Sequence, residues 1–207
     1  MTAANPYFVS PTGATSHIIA YNFGRDLGNP RIEGRAESLG GSIGAKIDLA
    51  GSWRLDTYAA YAREHGENSS SNQLNSTFLR EALGAIADNP ATAYSAPRDG
   101  YFNPFADGSN SSPAALAFIG SGWARGVGET TVSSVNALAD GSLFTLPAGD
   151  AKLAAGVAFR RETFERQDTS FTSGVAPSVG VPVAFDREVA SAFAEVRIPL
   201  FLSLIHI

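Results

Sequence analysis

Residues 39–49 alternate between two kinds of side chain. Leu39, Ile43, Ala45, Ile47 and Leu49 hold odd positions, with Gly41 among them; Gly40, Ser42, Gly44, Lys46 and Asp48 hold the even ones. A period of two marks a strand with two unlike faces. Ala50-Gly51-Ser52 supplies a tight turn, and residues 53–63 alternate again, so 36–65 is predicted to form a long antiparallel hairpin. A second hairpin is predicted over 128–167, with its turn at Leu146-Pro147-Ala148-Gly149-Asp150. A last strand is predicted over 187–200. Ala190, Ala192, Ala194, Val196, Ile198 and Leu200 form its apolar face, and Ser191, Glu195 and Arg197 its polar one, with Val189 and Phe193 breaking the pattern.

These strands are expected to run to roughly 12–16 residues, where a globular strand has about 5–6. A tilted strand crosses the hydrocarbon of a bilayer in ~9–11 residues. The connections also alternate in length: a few residues after Leu49 and Phe144, but long stretches over 66–125 and 168–186. Short turns at one end and long loops at the other are the pattern of an outer-membrane barrel. The expected fold class is therefore all-β. It is a segment of an antiparallel transmembrane β-barrel, with about five long strands and long extracellular loops that contain short helices. Lys46, Asp48, Glu195 and Arg197 are expected to face its lumen. Trp53, Tyr61 and Phe144, near strand ends, are expected at the membrane interface, where amphipathic rings prefer the headgroup level. The alternative is a soluble or secreted β-sandwich, a binding or adhesion module with one wet face.

The long connection has its own patterning. Leu74, Phe78, Ala82, Leu83 and Ile86 fall at helical spacing and predict a helix over 72–87. Ser112-Pro113 has the form of an N-cap followed by Pro at the first helical position, which predicts a second helix to Ile119. Between them, residues 100–110 read GYFNPFADGSN, and a similar piece, Asn5-Pro6-Tyr7-Phe8, occurs near the start. Tyr101, Phe102 and Phe105 are candidates to stack on a ligand, and Asn103 and Asp107 to hydrogen-bond it. The competing reading packs the same rings beneath the loop as its private core, as compact loops commonly do. Residues 16–35 are expected to form a hairpin turning near Leu27-Gly28-Asn29-Pro30.

Composition narrows the function. The chain of 207 residues is 44% apolar and 17% charged, too apolar for a disordered tail. A formal charge of −5, with thirteen Arg and two Lys, argues against a nucleic-acid partner. The absence of Cys excludes disulfides and thiolate metal sites. No apolar run approaches the ~18 residues of a membrane helix. MTAANPYFVSPTG has no basic n-region or apolar h-region, so no signal peptide is expected. The chain is then either cytosolic or an internal piece of something longer. Gly40-Gly41-Ser42-Ile43-Gly44 matches G-x-S-x-G, but a nucleophile elbow needs a strand-to-helix turn, and here the motif lies within a strand. His17, His65 and His206 lack metal-pair spacing, and Asp107-Gly108-Ser109-Asn110 lacks the terminal Glu of a calcium loop. No enzyme activity, metal or cofactor is expected.

Four stretches carry a family resemblance. They are YNFGRDLGNPRIEGRAESLGGSIGAKIDLAGSWRLDTYAAYARE from Tyr21, GYFNPFADGSNSSPAALAFI from Gly100, NALADGSLFTLPAGDAKLAAGVAFRRETF from Asn136 and REVASAFAEVRIPL from Arg187. Together they resemble the barrel of a TonB-dependent outer-membrane receptor, over residues 1–200. The resemblance implies a barrel of ~22 strands plugged by an N-terminal domain. It implies import of a scarce ligand, such as a ferric siderophore, cobalamin or an oligosaccharide, across the outer membrane of a Gram-negative-type bacterium. It also implies outer-membrane lipid as a partner, and a TonB-type energy transducer that grips an N-terminal box. Neither box nor plug is recognisable here, so the chain is expected to be an internal barrel fragment. Residues 201–207, FLSLIHI, fit the pattern poorly and are expected to be a foreign or truncated tail.

Overall fold

The computed structural model describes residues 1–10, 12–105 and 111–200. The chain is 54% strand and 11% helix, so the expected all-β class is observed. Among the described residues there are five long strands: β1 (Arg31–Asp48), β2 (Arg54–Gln73), β3 (Gly122–Leu146), β4 (Gly149–Ser170) and β6 (Val183–Arg197), with a two-residue β5 (Ser178–Val179) before the last. They form one open, mostly antiparallel sheet in the order β1-β2-β3-β4, with both β5 and β6 pairing to β4. Thr169 lies opposite Val179 and Ser170 opposite Ser178.

The strands exceed their sequence-based limits, at 18, 20, 25 and 22 residues for β1 to β4. The extra length lies at the ends nearest the long connections, where Gly, Ser, Asn and charged residues blur the alternation. The hairpin expected over 16–35 does not form. Residues 31–35 belong to β1, and the stretch before them holds an isolated bridge from Ser16 to Thr2 and a short 3-10 turn, Phe23–Arg25, capped by the Asn22 side chain.

The chain divides into two compact units. The first comprises Met1–Arg35, Gly66–Val127 and Arg166–Pro182; the second comprises Ala36–His65, Gly128–Glu165 and Val183–Ile207.

The first unit has a core. Ala82, Tyr94, Ala96, Phe102, Ala115 and Ile119 are buried together, with Tyr21, Phe23, Leu74, Leu83 and Phe118 packed against them. Helix α1 (Ser76–Ala82) is shorter than the stripe over 72–87 implies. Asn75 starts it late, its Oδ1 accepting from the Thr77 and Phe78 amides at 3.0 and 3.2 Å. Gly84, at a φ of +64°, stops the chain from continuing it. A one-turn helix, α2 (Ala96–Asp99), carries no periodic signal in the sequence. Helix α3 (Pro113–Ile119) begins as its sequence indicates, with Ser112 Oγ accepting from the Ala115 amide at 3.1 Å. The Phe118 ring lies between Phe78 and Tyr94, with both centroid distances 4.1 Å.

The second unit has no such core. Among its described residues only Gly141, Ala151 and Gly156 are buried, and every residue of β6 is exposed.

Candidate functional site

Two surfaces hold the residues singled out from sequence. The first is the sheet of the second unit. Ile43 of β1 borders the same shallow depression as Tyr61 of β2, Val135 of β3 and Phe159 of β4. Val135 and Phe159 in turn border Val157, Ala190 and Ala192. Side chains two apart share a face, so Leu39, Ile47 and Leu49 join Ile43, and Ala194 and Val196 join Ala192. The apolar positions of five strands thus form one continuous face. It is bare: Ile43 is 78% exposed. No helix among the described residues is long and apolar enough to cross a membrane, so the question of membrane contact rests on strands.

This face changes character along the strands. At one border it carries ion pairs: Arg63 to Glu129 at 2.5 Å, and Arg161 with Asp186 and, at 3.7 Å, Glu188. His65 Nδ1 lies 4.0 Å from the same Glu129 carboxylate. At the other border, beside the short turns, alternation places Trp53, Leu143 and Ile198. Trp53 lies flat against Gly141, where a Cβ would come within 2.5 Å of the indole. Of the three expected interface aromatics, Trp53 and Tyr61 occupy this face. By the same alternation the exposed Phe144 shares the opposite side with Asp140 and Ser142.

The opposite face is mostly polar over β1 and β2, with Tyr58 and Ile32 also on it by alternation. Lys46 pairs with Asp56 at 3.5 Å, and Arg54 with Asp140 at 3.4 Å. Asp48 lies on this face, exposed, as do Glu195 and Arg197 at the end of β6. Over β4 and β6 the face is mixed. Phe164 stacks on Phe185 at 6.3 Å, and the Phe193 ring occupies the space that a Cβ at Gly156 would need. Phe193, a break in the sequence pattern, is therefore seated on this face over a glycine of β4, and by alternation Val189 shares the face.

The second surface is the aromatic turn of the first unit. Phe102 is 1% exposed, and its ring meets Tyr21 edge-on at 5.3 Å and Phe23 at 5.6 Å. Asn103 is also buried; its amide donates to Ser111 Oγ at 3.0 Å, and its Oδ1 accepts from the Phe105 amide at 3.0 Å. Tyr101 is half-buried against Gly84. Phe105 stands 57% exposed. Asp107 lies outside the described residues. Of the five candidate contacts, Phe102 and Asn103 are thus engaged inside the unit, and Phe105 offers its ring to the surroundings.

Sequence reasoning missed what holds this turn. Asn5 is 1% exposed and its Nδ2 donates to the Phe102 carbonyl at 2.9 Å. Thr2 Oγ1 donates to the Gly84 carbonyl at 2.5 Å. Asn75 Nδ2 reaches the carbonyls of Phe171 and Gly174 at 3.3 and 3.1 Å. The recurrence of Asn-Pro followed by an aromatic at 5–7 and 103–105 was the available signal.

Electrostatics in this unit serve packing. Burial holds the Tyr94 phenol well above its ordinary range, and the nearby carboxylates of Asp88, Asp99 and Glu81 add to the shift. Its hydroxyl donates to the Gly100 carbonyl. The Arg98 guanidinium, with help from the Ser95 amide, brings Asp99 down to about 2. Glu81 Oε1 accepts from the Asn89 amide at 3.0 Å. Among the described residues no group of three His, Cys, Asp or Glu side chains is placed to hold a metal ion.

Compared with models of protein families and with curated proteins, the sequence matches none.

Proposed function

We propose that the chain is a β-barrel segment of a TonB-dependent outer-membrane receptor. Such a receptor takes up a scarce ligand, a ferric siderophore, cobalamin or an oligosaccharide, with energy supplied by an inner-membrane transducer. The observation that carries this reading is the bare apolar face of the second unit. From Leu39 to Leu49 is ten steps of ~3.3 Å, or ~33 Å along the strand. A tilt of ~40° brings that to ~25 Å, the height of the apolar band on outer-membrane barrels. A single sheet with an apolar face open to water would be an aggregation site; hydrocarbon is a solvent that matches it. The ion pairs at one border and Trp53 at the other then lie at headgroup depth. The two edge strands, β1 and β6, are where further barrel strands would pair, because a sheet edge in lipid leaves backbone groups without partners. On this topology the short turns face the periplasm and the long connections face outside.

The test uses Trp53. In the full chain carrying Trp123→Phe, Trp53 is the sole tryptophan and is excited selectively at the red edge of the aromatic absorption. Refolded into lipid vesicles, its fluorescence is expected to fall when the acyl chains carry bromine. Ile43→Arg is expected to destabilise the inserted state by about 2–4 kcal/mol, and Ser42→Arg, on the opposite face, by little. Unquenched Trp53 fluorescence together with equal tolerance of both arginines would overturn the proposal.

A further inference from the structure

We infer that the first unit carries a calcium site at Glu81, built from its buried carboxylate and from oxygens of Asn89, Thr92 and Tyr94. The inference goes beyond the receptor reading and does not depend on it, because every ligand lies within the first unit.

Glu81 stands near the end of α1 and is 0% exposed. A carboxylate withdrawn from water needs a partner for each oxygen, because its hydration is lost. Oε1 accepts from the Asn89 amide at 3.0 Å. Among the described residues Oε2 has no hydrogen-bond partner. Residues 82–97 contain no Lys, Arg or His, and Arg98 pairs with Asp99 at 2.7 Å. The loop brings further oxygens to this carboxylate instead. Thr92 Oγ1 lies 3.4 Å from Glu81 Oε1, 2.9 Å from the Asn89 carbonyl and 3.4 Å from the Tyr94 carbonyl. A hydroxyl carries one proton and serves one acceptor. The acceptors gathered here thus outnumber the donors, and a hard cation resolves that surplus.

The donor set and its spacing select the ion. Calcium takes carboxylate, carbonyl and hydroxyl oxygens at ~2.3–2.6 Å, so that neighbouring oxygens on its shell lie ~2.8–3.5 Å apart. The three separations around Thr92 fall in that range. The octahedral shell of magnesium, at ~2.0–2.1 Å, holds adjacent oxygens ~2.9 Å apart, closer than two of the three. Asp88, next to Asn89, adds a second negative charge, which suits a divalent ion. Asn89 and Thr92 are half-buried, so water completes the shell from their side. An ion held here ties the chain from Asn89 to Tyr94 onto α1, beside the Phe78–Phe118–Tyr94 stack.

The experiment uses the full chain, refolded into phosphatidylcholine vesicles and freed of metal by chelator. Calorimetric titration with calcium is expected to show one site with a Kd of ~0.1–1 mM, and magnesium at the same concentration none. The melting midpoint of the helical signal should rise with calcium. Glu81→Gln keeps an acceptor for the Asn89 amide and puts a donor in place of Oε2. It is expected to weaken calcium at least ~10-fold and, in chelator, to melt no lower than the parent chain. Thr92→Val should weaken calcium as well, whereas Thr92→Ser, which keeps the hydroxyl, and Asp48→Asn, an exposed carboxylate of the sheet, should not. Absence of saturable calcium binding, equal binding of magnesium, or equal affinity in Glu81→Gln overturns the inference. If Glu81→Gln loses its helical signal, the Thr92 pair decides, and equal affinity of the valine and serine variants overturns it.

Discussion

At the scale of single residues, two kinds of position organise the molecule, and neither is an apolar core residue in the ordinary sense. Asn5 and Asn75 are buried amides that spend donor and acceptor alike on backbone groups, and the buried Asn103 accepts from the Phe105 amide. Asn75 caps α1 with its oxygen and ties residues 171 and 174 with its nitrogen, so Asn75→Ala removes a cap and strands two carbonyls. A loss of about 1–3 kcal/mol in the stability of the first unit is expected, read by hydrogen exchange of the α1 amides. Glycine acts at Gly156, where the Phe193 ring occupies the place of a side chain. Gly156→Ala is expected to cost about 1–3 kcal/mol in urea unfolding, as overpacking does. In a Phe193→Ala background most of that cost should vanish, and additive effects in the double-mutant cycle would refute the contact.

At the scale of elements, the long connection is a small folded body in its own right. Three short helices could not persist alone at this length. They are held by the Phe78–Phe118–Tyr94 stack and by segments distant in sequence. Tyr94 gives this body a pH limit. Its phenol is kept neutral in the folded state, with its pKa raised above the ordinary value of 10. The unfolded chain therefore releases that proton first as pH rises. The stability that Tyr94 contributes is complete below about pH 10 and is lost progressively above it. Tyr94→Phe is expected to flatten that alkaline loss, measured as the helical signal between pH 9 and 12. The strands show the converse balance. β3 and β4 obtain their length from ladder pairing with neighbours rather than from local preference, which is why they continue through polar stretches that alternation alone does not mark.

At the scale of the whole molecule, the sheet is open, with β1 paired only to β2 and β6 only to β4 among the described residues. Unpaired edges of this length recruit other strands. In the proposed receptor those strands are the rest of the barrel, and in water they would be other copies of the chain. The second unit also departs from a sandwich, the arrangement in which a second sheet covers the apolar face. Its five apolar rows are uncovered among the described residues, and this uncovered face is what the lipid-contact test addresses.

The sequence by itself determined what depends on neighbours along the chain. Alternation located the hairpins around Ala50-Gly51-Ser52 and Pro147-Ala148 and assigned Ile43 and Ser42 to opposite faces, because side-chain direction reverses at each residue. Ser112-Pro113 located the start of α3, because a cap acts within one turn. Only the tertiary structure decided which of the rings in GYFNPFADGSN turn inward. That choice rests on Asn5, 97 residues from Phe102, and on Tyr21 and Phe23 closing over the same ring. It also decided the meaning of Phe193, whose ring on a largely polar face is seated where the neighbouring strand offers Gly156. Local pattern fixes direction and period; what a side chain meets depends on pairings that sequence separation hides.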